Sequence, residues 1–231
     1  MSLILQIETA TTVCSVALAQ NGQVLAVKEV NERNVHAEMI TLFIQDVMEQ
    51  AGKQLKEIDA VAVSKGPGSY TGLRIGVSTA KGICFALDKP LIAVDTLSAM
   101  ASGAKEFSEL FTEDAILCPM IDARRMEVYT ALYTTQGEMT RPIAAEIIDD
   151  NSFSDITPEK QLVIFGDGAE KCIQALAHRG KLTFLPDFVN SAKQLTQLAL
   201  QKFEAKQFED VAYFEPYYLK EFVAGVKGVS R

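Results

Sequence analysis

Three stretches carry residue types that could do chemistry. Glu8 and Thr9, followed by Ala10, Thr11 and Thr12, close an opening apolar run. A carboxylate at a strand end can hold Mg²⁺ through water, and the hydroxyls behind it can take a phosphate. The same residues also suit a solvated strand end, and both readings stand. The second stretch is Lys65-Gly-Pro-Gly-Ser-Tyr-Thr-Gly-Leu-Arg-Ile-Gly76. A tight glycine-rich turn into a helix aims unpaired N–H groups at whatever lies in front of it. With Ser69, Thr71 and Arg74 it could bind an anion. It is no P-loop, since Leu73-Arg74 follows Gly72 where Lys-[Ser/Thr] is required, and no dinucleotide fingerprint. A structural turn that sets the helix angle is the competing reading. The third stretch is the charged turn of Asp122, Arg124, Arg125 and Glu127, read first as an exposed hairpin tip.

Other chemistries lack their residues. Cys14, Cys84, Cys118 and Cys172 are far apart and sit among apolar neighbours, which suits buried thiols. His36 and His178 have no second histidine or cysteine at ligand spacing, so no metal site built by this chain alone is expected. Ser64, Ser69 and Ser78 lie in no Gly-x-Ser-x-Gly elbow. The formal charge of −8 makes the chain a poor binder of nucleic acid by itself. No run approaches the roughly 18 apolar residues of a membrane span, and the N-terminus lacks a signal-peptide pattern. A cytoplasmic protein is expected.

The elements that must position these residues can be read in order. Strands over 3–9, 14–19 and 24–30, with Asn21-Gly22 as a hairpin turn, form an antiparallel meander. The first of them reads as alternating. Asn34 is the expected N-cap of a helix over 35–51, closed by Gly52. Its stripe of Met39, Ile40, Phe43, Val47 and Ala51 is flanked by Leu42, Ile44 and Met48. That is wider than one buried face requires. A strand over 58–63 leads into the glycine-rich turn and a helix over 71–87. Gly72, Gly76 and Ala80 share one face of that helix, with Thr79 alongside. Glycine in a helix interior costs about 1 kcal/mol relative to alanine. Its use here predicts close approach by another element, both the chain's own sheet and a partner helix.

A strand over 91–94 and a helix to about 105 complete the first half. The acidic connector 106–114 sets the expected domains at 1–107 and 108–231. Strands over 115–121, 126–133, 143–148, 162–165 and 183–185 follow, with a helix over 169–178. Ser191-Ala-Lys-Gln194 is a capping box for a last helix to about 206. The tail, Phe214-Glu-Pro-Tyr-Tyr-Leu-Lys220, is aromatic and then rich in glycine and lysine. Two halves that each open with a meander and then alternate helix and strand predict a duplicated α/β architecture.

Ile4-Leu-Gln-Ile-Glu-Thr-Ala-Thr11, the 65–76 motif and Pro90-Leu-Ile-Ala-Val-Asp-Thr-Leu97 resemble, in that order, the TsaB (YeaZ) family. Ile121-Asp-Ala-Arg-Arg-Met-Glu-Val-Tyr129 and Pro216-Tyr-Tyr-Leu-Lys220 extend the resemblance over nearly the whole chain. It implies two ribonuclease-H-like domains of the actin-like ATPase superfamily, the second one reduced. It also implies a non-catalytic partner of the related protein TsaD. With TsaD and the ATPase TsaE, such a chain serves to place threonylcarbamoyl on the adenosine next to the tRNA anticodon.

By the same resemblance the two N-domain helices pair with a second copy or with TsaD. That puts Met39, Ile40, Phe43, Val47, Gly72, Gly76, Thr79, Ala80 and Ile83 in the interface. Glu8, Thr9, Ser69, Thr71 and Arg74 become a vestigial nucleotide or anion site. The metal-binding His-x-x-x-His of the catalytic relative corresponds here to Thr96 and Met100, which cannot replace two imidazoles. Glu8 stands where the superfamily normally has aspartate. The resemblance further implies a homodimer when alone and tRNA contact only through the complex. It implies no cofactor on the chain alone, and leaves ATP or ADP at the TsaD interface open. A small ATPase or kinase-like enzyme, and a self-associating protein with another role, are the rival readings.

Overall fold

β1 (Leu3–Glu8) is buried along its whole length. A computed structural model, which describes residues 2–220, places it at the centre of a five-stranded sheet of order β3-β2-β1-β4-β5. It pairs antiparallel with β2 (Val13–Gln20) and parallel with β4 (Ala60–Ser64). The expected alternation in β1 is therefore corrected. Layers cover both faces of the sheet, so even Gln6 and Glu8 are buried. β3 (Gln23–Asn31) and β5 (Leu91–Val94) form the edges. The β2–β3 turn uses Asn21 and Gly22 at φ of 50° and 77°, as a two-residue hairpin turn demands.

α1 (His36–Gln50) and α2 (Tyr70–Leu87) cover one face. Ile40, Phe43, Ile44 and Val47 of α1, with Val77, Ala80 and Cys84 of α2, join Leu5, Ile7, Val16, Leu18, Val61 and Val63 in one core. Asn34 does not cap α1. It lies at φ 64°, and the cap residue is Val35, with no side-chain cap bond. His36 fixes the helix start instead, its Nε2 shared between the carbonyl oxygens of Thr11 at 3.0 Å and Val13 at 3.1 Å. α2 is capped by Ser69, whose Oγ accepts from the Gly72 N–H at 3.3 Å.

The glycines of the 65–76 motif face inward. A Cβ at Gly72 would sit 2.0 Å from the Thr9 carbonyl oxygen, and one at Gly76 would sit 2.2 Å from Thr9 Oγ1. A Cβ at Gly68 would meet the Ala10 carbonyl oxygen at 2.4 Å. The helix thus lies on the β1–β2 turn with no room for a side chain between them.

The other face is covered by α3 (Thr96–Gly103) and by α5 (Thr196–Glu204). Leu195 and Ala199 pack there on Ile4, Ala60, Ala62, Ile92 and Val94. The second sheet holds β6 (Ile116–Asp122), β7 (Glu127–Thr134), β8 (Met139–Ile147), β9 (Leu162–Phe165) and β10 (Leu182–Leu185), in order β10-β9-β6-β7-β8. β6, β7 and β8 are antiparallel, while β6, β9 and β10 are parallel. This repeats the first sheet strand for strand. Its one assigned α-helix among the described residues, α4 (Ile173–Leu176), is a single turn.

A division at 107/108 does not follow the packing. The Ser191–Gln194 capping box is formed, but it opens a segment that returns to the first sheet. Ser191 Oγ donates to Glu29 at 2.6 Å, the Ala192 N–H to Ser15 Oγ at 2.9 Å and Thr196 Oγ1 to Gln6 at 2.9 Å. Beyond α5, the Glu209 N–H donates to the Leu91 carbonyl at 2.9 Å, and the Tyr217 N–H to the Lys65 carbonyl at 2.7 Å. The first lobe therefore includes the end of the described chain, because the apolar face of β1, β4 and β5 needs α5 to cover it. The glycine- and lysine-rich end lies outside the described residues.

Replacing Gly72 by alanine forces a methyl against backbone. It is expected to cost about 1–3 kcal/mol in urea denaturation. Gly82→Ala, on the open side of the same helix with nothing within 4 Å, is expected to stabilise by about 0.5–1 kcal/mol. Equal effects at the two positions would contradict the inward orientation.

Candidate functional site

Glu8 stands where β1, β4 and α3 converge. It is 1% exposed, and its Oε1 accepts from the Ala10 N–H at 2.6 Å. The Ser64 side chain also bonds it. Ser64 Oγ lies 2.6 Å from Thr96 Oγ1, which in turn accepts from the Gly66 N–H at 3.1 Å. Glu8, Ser64 and Thr96 are thus one buried polar chain beneath the 65–68 loop. Burial pushes the Glu8 carboxyl up to about 7, against the bonds from Ala10, Ser64 and Thr9, and the charge of Asp167 pushes the same way as burial. Asp167 is itself raised by burial, and its Oδ1 accepts from the Asp122 N–H at 3.0 Å. The reading of Glu8 as a solvated strand end is overturned.

The five residues expected to form an anion site are not assembled into one. Thr9 Oγ1 is buried against Gly76 and has no hydrogen-bond partner. Ser69 Oγ serves as helix cap, and its N–H donates to the Ala10 carbonyl at 2.7 Å. Thr71 is exposed. Arg74 lies 4.5 Å over the Tyr70 ring and donates from Nε to the Tyr218 hydroxyl at 3.3 Å. Thr9 is pressed against α2 at Gly72 and Gly76, Ser69 is used as a cap and Arg74 is held by two tyrosines, so the five do not converge on one anion. Among the described residues no group of three His, Cys, Asp or Glu could hold a metal ion.

The outer face is different. A mostly apolar groove of about 600 Å³ runs between α1 and α2. Thr41, Ile44, Gln45 and Met48 form one wall, and Thr79 and Ile83 the other. Of the nine residues expected in an interface, Thr79 and Ile83 line this groove. Ile40, Phe43 and Val47 are spent in the core, Met39 is half-buried against it, and Gly72, Gly76 and Ala80 lie on the chain's own sheet. Sequence reasoning missed Thr41 and Gln45. Both are polar and fall outside the apolar periodicity of α1. It also missed Phe85, which is 85% exposed on α2.

Two sheets of matching topology, each carrying helices, define a two-lobed α/β protein of the actin-like fold. Across 89% of this chain and 97% of the other, the fold matches an activator of 2-hydroxyisocaproyl-CoA dehydratase from Clostridium difficile (TM-score 0.52, 9% identity). YeaZ from Pseudomonas aeruginosa superposes with a TM-score of 0.81 at 26% identity, covering 95% of this chain and 100% of that one. The tRNA threonylcarbamoyladenosine biosynthesis protein TsaB of Escherichia coli (strain K12) is 34% identical over 97% of each chain. The family model described as TsaD, tRNA N6-adenosine threonylcarbamoyltransferase, matches residues 27–225. The chain belongs to the TsaB (YeaZ) family, within that wider TsaD group.

The Glu8 environment has a pH signature. Its folded value lies above the ordinary 4.5, so the folded state holds a proton that the unfolded state releases between about pH 4.5 and 7. The contribution of Glu8 to stability is full below that window and is lost as pH rises through it. Glu8→Gln removes this loss. The variant should gain on the parent chain by an amount on the order of 3 kcal/mol as pH rises from about 4.5 to 8. Denaturation midpoints of both chains across that range measure the difference, and a constant difference would refute the assignment.

Proposed function

We propose that this chain is the non-catalytic subunit in the biosynthesis of tRNA threonylcarbamoyladenosine, docking TsaD through the groove between α1 and α2. The observation that carries the reading is the groove itself, a mostly apolar surface left open between two helices that also expose Leu42 and Phe85. Its occupant is the matching helix pair of TsaD. The chain fits the TsaD family model over most of its length, so the two proteins share a fold and present like helix pairs. Like surfaces pair about a two-fold or pseudo-two-fold axis. A second copy can take the same seat when TsaD is absent.

The positions corresponding to the metal-binding histidines of the catalytic relative support a non-catalytic role. Thr96 is buried and bonded to Ser64, and Met100 is buried against Gly166. Neither offers a ligand to a metal. We assign TsaE to the same assembly, the assembly to the cytoplasm, and any ATP or ADP to the interface with TsaD rather than to this chain's own turn.

Thr79→Arg puts a charge into the groove without touching the core. It should weaken co-elution with TsaD by about 2 kcal/mol or more and abolish tRNA modification in the reconstituted mixture. Ile147→Arg, on the exposed edge strand β8, should do neither. If TsaD and TsaE modify tRNA at full rate without this chain, the proposed role is wrong.

A further inference from the structure

The β6–β7 hairpin presents two consecutive arginines in a conformation that disfavours them. Arg124 and Arg125 lie at φ of 74° and 49°. Left-handed backbone suits Gly, Asn and Asp and destabilises other residues. Elsewhere the chain follows that rule, with Asn21 and Gly22 at the β2–β3 turn, Asn34 before α1 and Asp88 after α2. The two other exceptions have local compensation. Phe153 is buried in the second lobe's core, and Lys206 closes the last turn of α5 as Gln207 bonds back to Lys202. At the arginine pair the compensation is confined to backbone, with the Glu127 N–H donating to the Arg124 carbonyl at 3.1 Å. Both residues are exposed, and among the described residues neither guanidinium has an ion-pair or hydrogen-bond partner. Glycine or asparagine would close the same backbone with less strain, so the arginines are explained by what their side chains meet and not by the turn.

The tip is braced from below. Asp122 Oδ1 accepts from the Arg124 N–H at 3.1 Å and from the Lys171 ammonium, which also donates to the Glu127 carbonyl at 2.8 Å. Lys220, at the end of the described chain, pairs with the Glu127 carboxylate. Burial pushes the Tyr129 phenol up, while the charges of Lys220 and Arg124 beside it act in the opposite direction. Lys171, Lys220 and both arginines therefore share one corner of a chain whose formal charge is −8. The carboxylates there, Asp122, Glu127 and Asp167, are engaged by the two lysines and by backbone N–H groups. The two guanidinium groups remain for an external anion. They stand on an exposed hairpin tip outside the lining of the α1–α2 groove, which suits an extended polyanion better than a small molecule.

We propose that Arg124 and Arg125 grip the phosphodiester backbone of the tRNA held by the assembly, an inference that rests on the function proposed above. Guanidinium–phosphate contacts are charge-assisted and can be bidentate, and they position RNA without reading its sequence. The acidic remainder of the chain repels RNA, so the contact operates only once TsaD holds the substrate.

The test uses the complete complex with an unmodified tRNA transcript. Arg124→Asn with Arg125→Gly relaxes the turn and removes both charges. Affinity for the tRNA should fall about tenfold, and the slope of log affinity against log salt should shrink by about one to two. The isolated variant should melt a few degrees higher than the parent chain, an outcome that a merely structural role would reverse. Arg124→Lys with Arg125→Lys should keep most of the affinity. The inference is overturned by unchanged tRNA affinity, by a lysine pair that binds as weakly as the neutral pair, by loss of ATP or ADP binding alone, or by failure of the neutral variant to join TsaD. Failure of the parent chain itself to join TsaD would instead refute the function proposed above, and size-exclusion chromatography separates the two cases.

Discussion

The β1–β2 turn, from Glu8 to Val13, is the point on which the α1–α2 face of the first lobe depends. Its Thr9 and Ala10 carbonyls lie where side chains of Gly68 and Gly72 would have to be, and Ala10 also accepts the Ser69 N–H. α2 can approach only because its inner face has no side chains there. The same turn offers the Thr11 and Val13 carbonyls to His36 and so fixes the start of α1. Both walls of the outer groove are therefore anchored on one loop of the sheet. Backbone contact of this kind has no soft component: a carbonyl oxygen cannot rotate away as a side chain can, so the separation of the helices follows from the position of the turn.

That anchoring also explains the inner site. A phosphate needs N–H groups and hydroxyls that converge on one space, and here Thr9 is pressed against the helix that the glycines admit. The 65–76 motif has the composition of an anion-binding loop, but its glycines serve close packing. Ser69 is used to cap α2, and Arg74 is held by Tyr70 and Tyr218. Glu8 is left beneath the loop with Ser64 and Thr96, in surroundings that raise its carboxyl toward neutrality.

Local patterns were legible wherever the determining interaction lies within a few residues. The Asn21-Gly22 turn, the Ser191 capping box and the α2 span all follow from neighbouring residues. The duplicated strand order followed from the two repeated meanders. The direction in which Gly72, Gly76 and Ala80 face was not legible, because a small-residue face looks the same whether it meets its own sheet or a partner. The return of the last helix to the first sheet was likewise hidden. The bonds that hold it, such as Thr196 to Gln6, join residues 190 positions apart. Asn34 failed as a cap because a tertiary bond from His36 took over the task of starting the helix. The apolar stripe on α1 is wide, and periodicity does not divide it between core and surface. Ile40, Phe43 and Val47 lie wholly in the core, Ile44 and Met48 are core residues whose edges also line the groove, and Thr41 and Gln45 complete that wall.

The division of labour between the helix faces has a further physical consequence. A groove whose walls rest on the turn that seals Glu8 cannot widen or close without moving that turn. Moving the turn would disturb the Ala10–Ser69 bond, the glycine contacts and the Ala10 N–H that Glu8 accepts. The outer groove and the buried Glu8 carboxyl thus share one anchor, the backbone of the β1–β2 turn. At Gly68, Gly72 and Gly76 the turn is in direct contact with the loop and helix above it. The structure thus anchors an outer groove and a sealed polar centre on the same turn. Such a structure suits a subunit whose task is to hold a partner's shape.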